Sequence, residues 1–157
     1  MKTNKLFFMF LVVALIAVSG CASSQNSQNA KASNFGIKAT IFKSSGCGCC
    51  NVYLQYMNKK GFNLEVMQTE DMDAVKAKYN IPASMQSCHT IIIGDYFVEG
   101  HVPSEAIEKL MAEKPTIRGI AMPGMPSGSP GMPGSKKAPF VIYAINKDGS
   151  TAEFMRI

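Results

Sequence analysis

The chain has 157 residues, of which 46% are apolar and 17% are charged, and its formal net charge at pH 7 is +5. The 16 basic residues are scattered and form no stripe interleaved with aromatic residues, so no nucleic acid is expected as a partner. The sequence contains no serine–histidine–aspartate, phosphate-loop or zinc-protease pattern, so hydrolytic chemistry has no support.

The N-terminus is typical of an exported protein. Two lysines precede an apolar run over residues 6–18, which is shorter than the roughly 20 residues that a membrane-spanning helix needs. The run ends in Val-Ser-Gly-Cys at residues 18–21, which resembles a bacterial lipobox with valine in place of the more common leucine. In such signals the cysteine is lipidated at its thiol and becomes the mature N-terminus. The alternative is ordinary cleavage that leaves Cys21 free.

The sequence therefore predicts a lipoprotein signal peptide over residues 1–20. Because Ala22 is not aspartate, resemblance to Gram-negative lipoproteins predicts an outer-membrane lipoprotein that faces the periplasm. The lipidated Cys21 begins a polar stretch to residue 34 that lacks apolar periodicity and is expected to be a flexible tether. Residues 35–157 are long enough for a single domain.

Apolar periodicity predicts the elements of this domain in chain order. The helices are expected to begin at the cysteine cluster and end at residues 59–61, and to span 71–79 and 103–114. The strands are expected over 37–42, 62–66, 90–93, 96–98, 140–145 and 151–155, where the last four form two hairpins. The order strand, helix, strand, helix, hairpin, helix predicts an α/β thioredoxin-like domain with a mixed sheet and a C-terminal β-hairpin extension. Which of the two hairpins completes the sheet stays open.

Three cysteines, Cys47, Cys49 and Cys50, crowd into four residues after the first strand. Such near-adjacent cysteines meet the geometry of a disulfide poorly, so we do not expect all three to bridge one another, and at most one of them can pair comfortably with Cys88. Right-handed crossovers bring the end of the first strand near the start of the first hairpin, which places the cluster opposite Cys88. The N-terminus of a helix favours thiolate, and clustered thiolates bind soft metals such as Cu(I), several ions of which can share bridging sulfurs.

Other soft or nitrogen donors accompany the cysteines. His89 and His101 are candidate ligands, although each could instead be a turn or helix-entry residue that is hydrogen-bonded to backbone. Met122, Met125 and Met132 lie in a loop rich in proline and glycine, and thioethers bind Cu(I) while ignoring zinc. The alternative for the methionines is packing on the domain as adaptable apolar residues.

Four ordered motifs resemble those of the CopG-type copper-resistance proteins. They are Ser-Gly-Cys-Gly-Cys-Cys at 45–50, Ser-Cys-His-Thr at 87–90, Glu-Gly-His-Val-Pro at 99–103 and Met-Pro-Gly-Met-Pro-Ser-Gly-Ser-Pro-Gly-Met at 122–132. The resemblance covers residues 37–157. It implies a thioredoxin-like fold and a cysteine-bridged copper cluster held by Cys47, Cys49, Cys50 and Cys88. It makes copper ions the partner, together with copper-efflux or copper-chaperone proteins, and the lipobox is a departure from soluble periplasmic members.

The main hypothesis is a periplasm-facing protein that takes up Cu(I) to limit copper toxicity, with cycling between Cu(I) and Cu(II) as an added role. Two alternatives remain. Cys47 and Cys50 also form a C-x-x-C pair, which is typical of thiol–disulfide oxidoreductases of thioredoxin-like fold. Four cysteines could instead hold a structural zinc ion, which leaves the methionines unused. Whether the protein is an enzyme stays open.

Overall fold

The computed structural model describes residues 38–157, so the predicted signal peptide, the lipidated Cys21 and the tether lie outside the described residues. Residues 38–157 form three α-helices, one short 3-10 helix at Ala83–Met85 and seven strands. The helices are α1 (Gly48–Lys59), α2 (Met72–Lys78) and α3 (Ser104–Glu113). The strands are β1 (Ala39–Lys43), β2 (Leu64–Gln68), β3 (His89–Ile93), β4 (Tyr96–Glu99), β5 (Ile117–Ala121), β6 (Val141–Asn146) and β7 (Thr151–Arg156). None of these helices is long and apolar enough to cross a membrane.

All seven strands join one mixed sheet in the order β2-β1-β3-β4-β5-β6-β7. The pairs β1–β2 and β4–β5 are parallel, and the other pairs are antiparallel. The predicted thioredoxin-like fold is confirmed, because β1 to β4 and the three helices follow that topology. The first hairpin, β3–β4, completes this core beside β1. The second hairpin, β6–β7, extends the sheet at its far end.

Strand β5 was not among the predicted elements. Arg118 and Gly119 interrupt its apolar alternation, so the local pattern is weak. The strand forms because β4 and β6 pair with it on either side. A Cβ at Gly119 would lie 2.2 Å from the carbonyl oxygen of Phe97, so only a residue without a side chain fits against β4 there.

The sheet separates two apolar clusters because successive side chains of a strand point to opposite faces. Ile91 belongs to the larger cluster, which also contains buried residues of α1 and α3. Ile92, the next residue along β3, packs instead against the smaller cluster together with Tyr79 at the end of α2. The first and third helices therefore cover one face, and α2 covers the other.

The strand register places three chain segments at one edge of the sheet. The last residue of β1, Lys43, pairs with the first residue of β3, His89. The last residue of β4, Glu99, pairs with Thr90 in β3 and with the last residue of β5, Ala121. The loops that leave these strands therefore meet at this edge, which is where α1 also begins.

Candidate metal centre

Four cysteines converge at this edge. Cys47 caps the N-terminus of α1, Cys49 and Cys50 lie in its first turn, and Cys88 immediately precedes β3. The Sγ atom of Cys49 lies 3.6 Å from that of Cys47 and 3.8 Å from that of Cys88. All four sulfur atoms lie within 4.8 Å of one another. The chain topology therefore brings the distant Cys88 to the helix terminus, as the sequence predicted.

Two of the clustered cysteines are bridged. Cys47 and Cys50, the C-x-x-C pair of the sequence, form a disulfide in the structure, although near-adjacent cysteines were expected to meet the geometry of a disulfide poorly. Their Cα atoms lie 5.4 Å apart, because three residues span almost one turn at the start of a helix. That separation lies inside the range that disulfides use. Cys49 and Cys88 are the free thiols among the described residues, and both are half-buried.

Two histidines extend the cluster on the side of Cys88. His89 Nδ1 lies 3.4 Å from Cys88 Sγ, and His101 Nε2 lies 3.1 Å from the same sulfur. Cys88, His89 and His101 form a second group of ligand atoms within 4.8 Å of one another. Cys88 is common to both groups, so its sulfur lies between an all-sulfur set and a mixed sulfur and nitrogen set.

Hydrogen bonding orients one of these rings. The Nδ1 atom of His101 lies 2.7 Å from the carbonyl oxygen of Pro130. Because a carbonyl oxygen only accepts, Nδ1 must donate, and in the neutral ring Nε2 then carries the lone pair that faces Cys88. The sequence analysis set a backbone bond and a metal contact as alternatives for His101. The structure gives this residue the backbone bond and a place in the cluster at once.

His89 contains an unsatisfied polar atom. Its side chain is completely buried, and its Nε2 atom has no hydrogen-bond partner among the described residues. A buried ring nitrogen without a partner is costly unless something binds it. This nitrogen is therefore available to a metal ion or a water molecule.

Tyr53 is a residue of the site that was not among the predicted site residues. Its ring lies 4.6 Å from that of His89 and 5.4 Å from that of His101, between centroids. Its hydroxyl donates to the carbonyl oxygen of Val102 at 2.7 Å. The sequence signal was the spacing, since Tyr53 follows Cys50 by three positions and therefore shares its helix face.

The loop rich in proline and glycine lies against the start of α1. A Cβ at Gly131, whose φ is +81°, would lie 2.8 Å from the Tyr53 nitrogen and 3.0 Å from the Cys49 carbonyl oxygen. Gly131 therefore packs closely against the first turn of α1. This packing and the hydrogen bond between His101 and Pro130 hold the loop over the cysteine cluster.

The three methionines of this loop differ in burial. Met122 is buried in the larger apolar cluster, which matches the packing alternative for that residue. Met132, next to Gly131, is half-buried. Met125 is exposed and has a φ of +43°, a left-handed conformation that is uncommon for residues other than glycine. Their roles as ligands stay a prediction.

Comparisons with known proteins assign the chain to a family. A family described as "Protein of unknown function, DUF411" matches residues 85–132, which contain Cys88, both histidines and the three methionines. No curated protein matches the chain. A solved structure named "Copper resistance protein copG- Form 2" is 35% identical, covers 77% of this chain and 98% of its own, and superposes with a TM-score of 0.72. The chain belongs to the CopG family. A second structure, "Copper resistance protein copG- Form 1", gives 35% identity, a TM-score of 0.71 and coverage of 77% and 97%.

The donor set of this CopG family member suits a soft metal. It combines four sulfur atoms with two imidazoles, and Cys50 and both histidines are fully buried. Without metal, burial disfavours the charged forms of Cys88, His89 and His101. Burial, helped by the neighbouring Cys49, raises the pKa of the Cys88 thiol to about 12. Burial, with smaller effects of His101 and Lys76, lowers the pKa of His89 to about 3, and burial also lowers that of His101. A metal cation that binds Cys88 must therefore displace its proton.

The burial of His89 predicts a pH dependence of stability in the metal-free protein. Below pH 6.5 the unfolded chain protonates this ring, whereas the folded chain does not until about pH 3. The free energy of unfolding should therefore fall as the pH drops from 6.5 toward 3, by up to about 1.4 kcal/mol per pH unit. Urea unfolding between about pH 7.5 and about pH 5 measures this slope.

The matched variant is His89→Gln, which keeps Glu99 and the surface carboxylates and so isolates the histidine. Its free energy of unfolding should vary less over this pH interval than that of the wild type. Equal slopes would show that His89 is not held neutral by burial.

Proposed function

We propose that this protein acts in copper resistance by binding Cu(I) at Cys47, Cys49, Cys50 and Cys88. The observation that carries the proposal is the convergence of these four sulfur atoms within 4.8 Å at one edge of a CopG-family fold. Sulfur is the ligand that Cu(I) prefers, and neighbouring thiolates can bridge two ions. We infer a thiolate-bridged centre that holds more than one copper ion, with His89 and His101 as further ligands on the side of Cys88.

Copper is favoured over zinc by the donors beyond the four cysteines. A closed structural zinc site needs four ligands, which the cysteines alone would supply. The two imidazoles would then have no ligand role, although His101 Nε2 lies 3.1 Å from Cys88 Sγ and His89 Nε2 is buried without a partner among the described residues.

The disulfide makes metal uptake dependent on reduction. Cys47 and Cys50 are joined in the structure, so neither sulfur is available as a thiolate. Two electrons and two protons convert the disulfide to two thiols, and a thiol reductant can supply them. Uptake by all four sulfurs therefore follows reduction. A site of this kind could also cycle copper between Cu(I) and Cu(II).

The same disulfide favours a second candidate function, thiol–disulfide exchange. A C-x-x-C disulfide at the N-terminus of the first helix of a thioredoxin-like fold is the arrangement such enzymes use. Cys49 argues against it, because its thiol lies 3.6 Å from Cys47 Sγ and would compete with a substrate thiol. Copper binding is the conclusion we draw.

A Cu(I) titration tests the main proposal. The full-length chain with Cys21→Ser, reduced and kept without oxygen, should bind more than one Cu(I) per chain against a strong chelator. Cys49→Ser in this background should abolish the binding of more than one ion, because Cys49 lies between Cys47 and Cys88. The chain that carries only Cys21→Ser is the matched control, because it has the same type of substitution at the one cysteine of the sequence outside the cluster.

Two other outcomes would contradict it. Normal Cu(I) binding by Cys49→Ser, combined with insulin reduction that depends on Cys47 and Cys50, would favour the exchange enzyme. One tightly held zinc ion that Cu(I) does not displace would favour a structural zinc site.

The methionines require a separate experiment. Replacing Met122, Met125 and Met132 with leucine should speed the loss of Cu(I) to a chelator by roughly tenfold, if thioethers help to hold or pass on the ion. Met67→Leu is the control, because Met67 is exposed by 46% on β2 and Met125 by 40% in the loop. Unchanged Cu(I) loss in the triple variant would assign the three methionines to packing.

We also propose that the protein is held on the periplasmic face of the outer membrane by a lipid on Cys21, where it could exchange copper with efflux or chaperone proteins. The lipobox at residues 18–21 supports this location. The wild-type chain should fractionate with membranes, and Cys21→Ser should move it to the soluble fraction. Cys88→Ser, the same change at a cysteine of the centre, should stay with the membranes. A soluble wild-type protein would exclude the anchor.

A further inference from the structure

Behind the metal centre, on the face of the sheet that α2 covers, lies a buried charged network. Glu99 is fully buried at the end of β4 and forms an ion pair with Lys76 of α2, which is 5% exposed. Glu99 Oε2 also accepts the hydroxyl of Thr90 at 2.6 Å, and its Oε1 accepts the backbone N–H of Ser87 at 2.6 Å. No role in metal binding follows from these contacts directly, since none of the four residues is a candidate ligand.

The partners of Glu99 flank the ligands in the chain. Ser87 immediately precedes Cys88, and Thr90 immediately follows His89. Glu99 itself stands two residues before His101. The carboxylate of Glu99 therefore binds the chain on both sides of Cys88 and His89. Glu99 also ends the strand β4, which leads to His101.

The segment before β3 needs such an anchor. The ladder between β1 and β3 begins at His89, so Cys88 and Ser87 lie beyond its last pair. The Ser87 N–H instead bonds to Glu99. The neighbouring Gly100, whose φ is +82°, touches the same segment, since a Cβ there would lie 2.9 Å from Ser87 Cβ. These contacts hold Ser87, the residue directly before Cys88.

A buried ion pair is weak evidence for stability, because removing two charges from water costs about as much as their attraction returns. Such a pair is better explained by the geometry it enforces. We propose that Glu99 is a positioning residue of the metal centre. Through its hydrogen bonds to Ser87 and Thr90, Glu99 holds the Sγ atom of Cys88 at 3.8 Å from that of Cys49. The inference rests on the proposed metal function, but the arrangement it concerns can be measured without metal.

The test uses the disulfide that Cys49 and Cys88 can form. In the full-length chain with Cys21, Cys47 and Cys50 replaced by serine, these two are the remaining cysteines, and their Sγ atoms lie 3.8 Å apart in the structure. Redox equilibrium with glutathione gives the effective concentration of one thiol at the other. Glu99→Gln should lower this value by at least about tenfold, equivalent to about 1.4 kcal/mol. The reason is that an amide has one acceptor oxygen and cannot satisfy Ser87, Thr90 and Lys76 together.

Glu113→Gln is the matched control, because Glu113 forms an exposed ion pair with Lys109 on α3. The effective concentration of the two thiols in Glu113→Gln should equal that in the parent, which is the chain with only Cys21, Cys47 and Cys50 replaced by serine. Urea unfolding of each reduced variant separates a loss of global stability from a change within the folded state. If Glu99→Gln folds and keeps the parent value, the proposal is overturned.

A second variant decides the question if Glu99→Gln does not fold. Thr90→Val removes one hydrogen bond to Glu99 and keeps the ion pair, and it should lower the effective concentration by about threefold. Thr40→Val in β1, where no hydroxyl contact to this network exists among the described residues, should have no effect. Equal values for the two valine variants would also overturn the proposal.

The outcomes also separate this inference from the proposed function. In the chain with all four cysteines of the centre, Glu99→Gln should weaken Cu(I) binding as well. If the chain with all four cysteines and Glu99 binds no Cu(I), the proposed function fails. The glutathione measurement on the chain with two cysteines still reports whether Glu99 positions Cys88. If the chain with all four cysteines and Glu99 binds Cu(I) and Glu99→Gln leaves the effective concentration unchanged, only the positioning role fails.

Discussion

The antiparallel pairing of β1 with β3 is the constraint on which the centre depends. Its register places Lys43, the last residue of β1, against His89, the first residue of β3. The chain that leaves β1 enters α1 through Cys47, and the chain that enters β3 arrives through Cys88. A shift of the register by one residue would turn every side chain of β3 to the opposite face of the sheet and would separate the two sets of cysteines. The placement of the proposed ligands therefore depends on the backbone hydrogen bonds of this ladder, which begins at His89 itself.

Several groups of the metal-free centre are neutral, which explains how they can be buried together. Cys47 and Cys50 are bridged, Cys88 remains a thiol, and burial disfavours the charged forms of His89 and His101. An isolated charge in this position would be costly. Under the proposed function, reduction and metal binding exchange this arrangement for thiolates that a cation compensates. The oxidised form and the proposed copper-bound form would then satisfy the same donors in two ways.

A buried ion pair lies on the face of the sheet that α2 covers. Lys76 and Glu99 compensate each other, and Glu99 reaches around the end of β3 through Ser87 and Thr90. The face covered by α1 and α3 thus carries the proposed ligands. The face covered by α2 carries Glu99, which anchors the segment that contains Cys88 and His89. On the face covered by α1 and α3, the ring of Tyr53 packs against both imidazoles and so helps to hold them in place.

Local sequence patterns were enough to predict most of the regular elements and the chemistry of the donors. Alternating apolar residues marked both hairpins, Gly61 marked the end of α1, and three thiols in four residues indicated a soft metal. The tertiary structure alone decided which hairpin joins β1 and whether β5 exists, since the pairing of Ile117–Ala121 depends on neighbours distant in the chain. It also decided that Cys47 and Cys50 can bridge, that His101 faces Cys88 and that Glu99 holds Ser87. The Cys47–Cys50 separation follows from the helical turn at the start of α1, which the chain adopts only once α1 is packed in the fold. The contacts of His101 and Glu99 join groups on different elements, and spacing along a chain does not fix such distances.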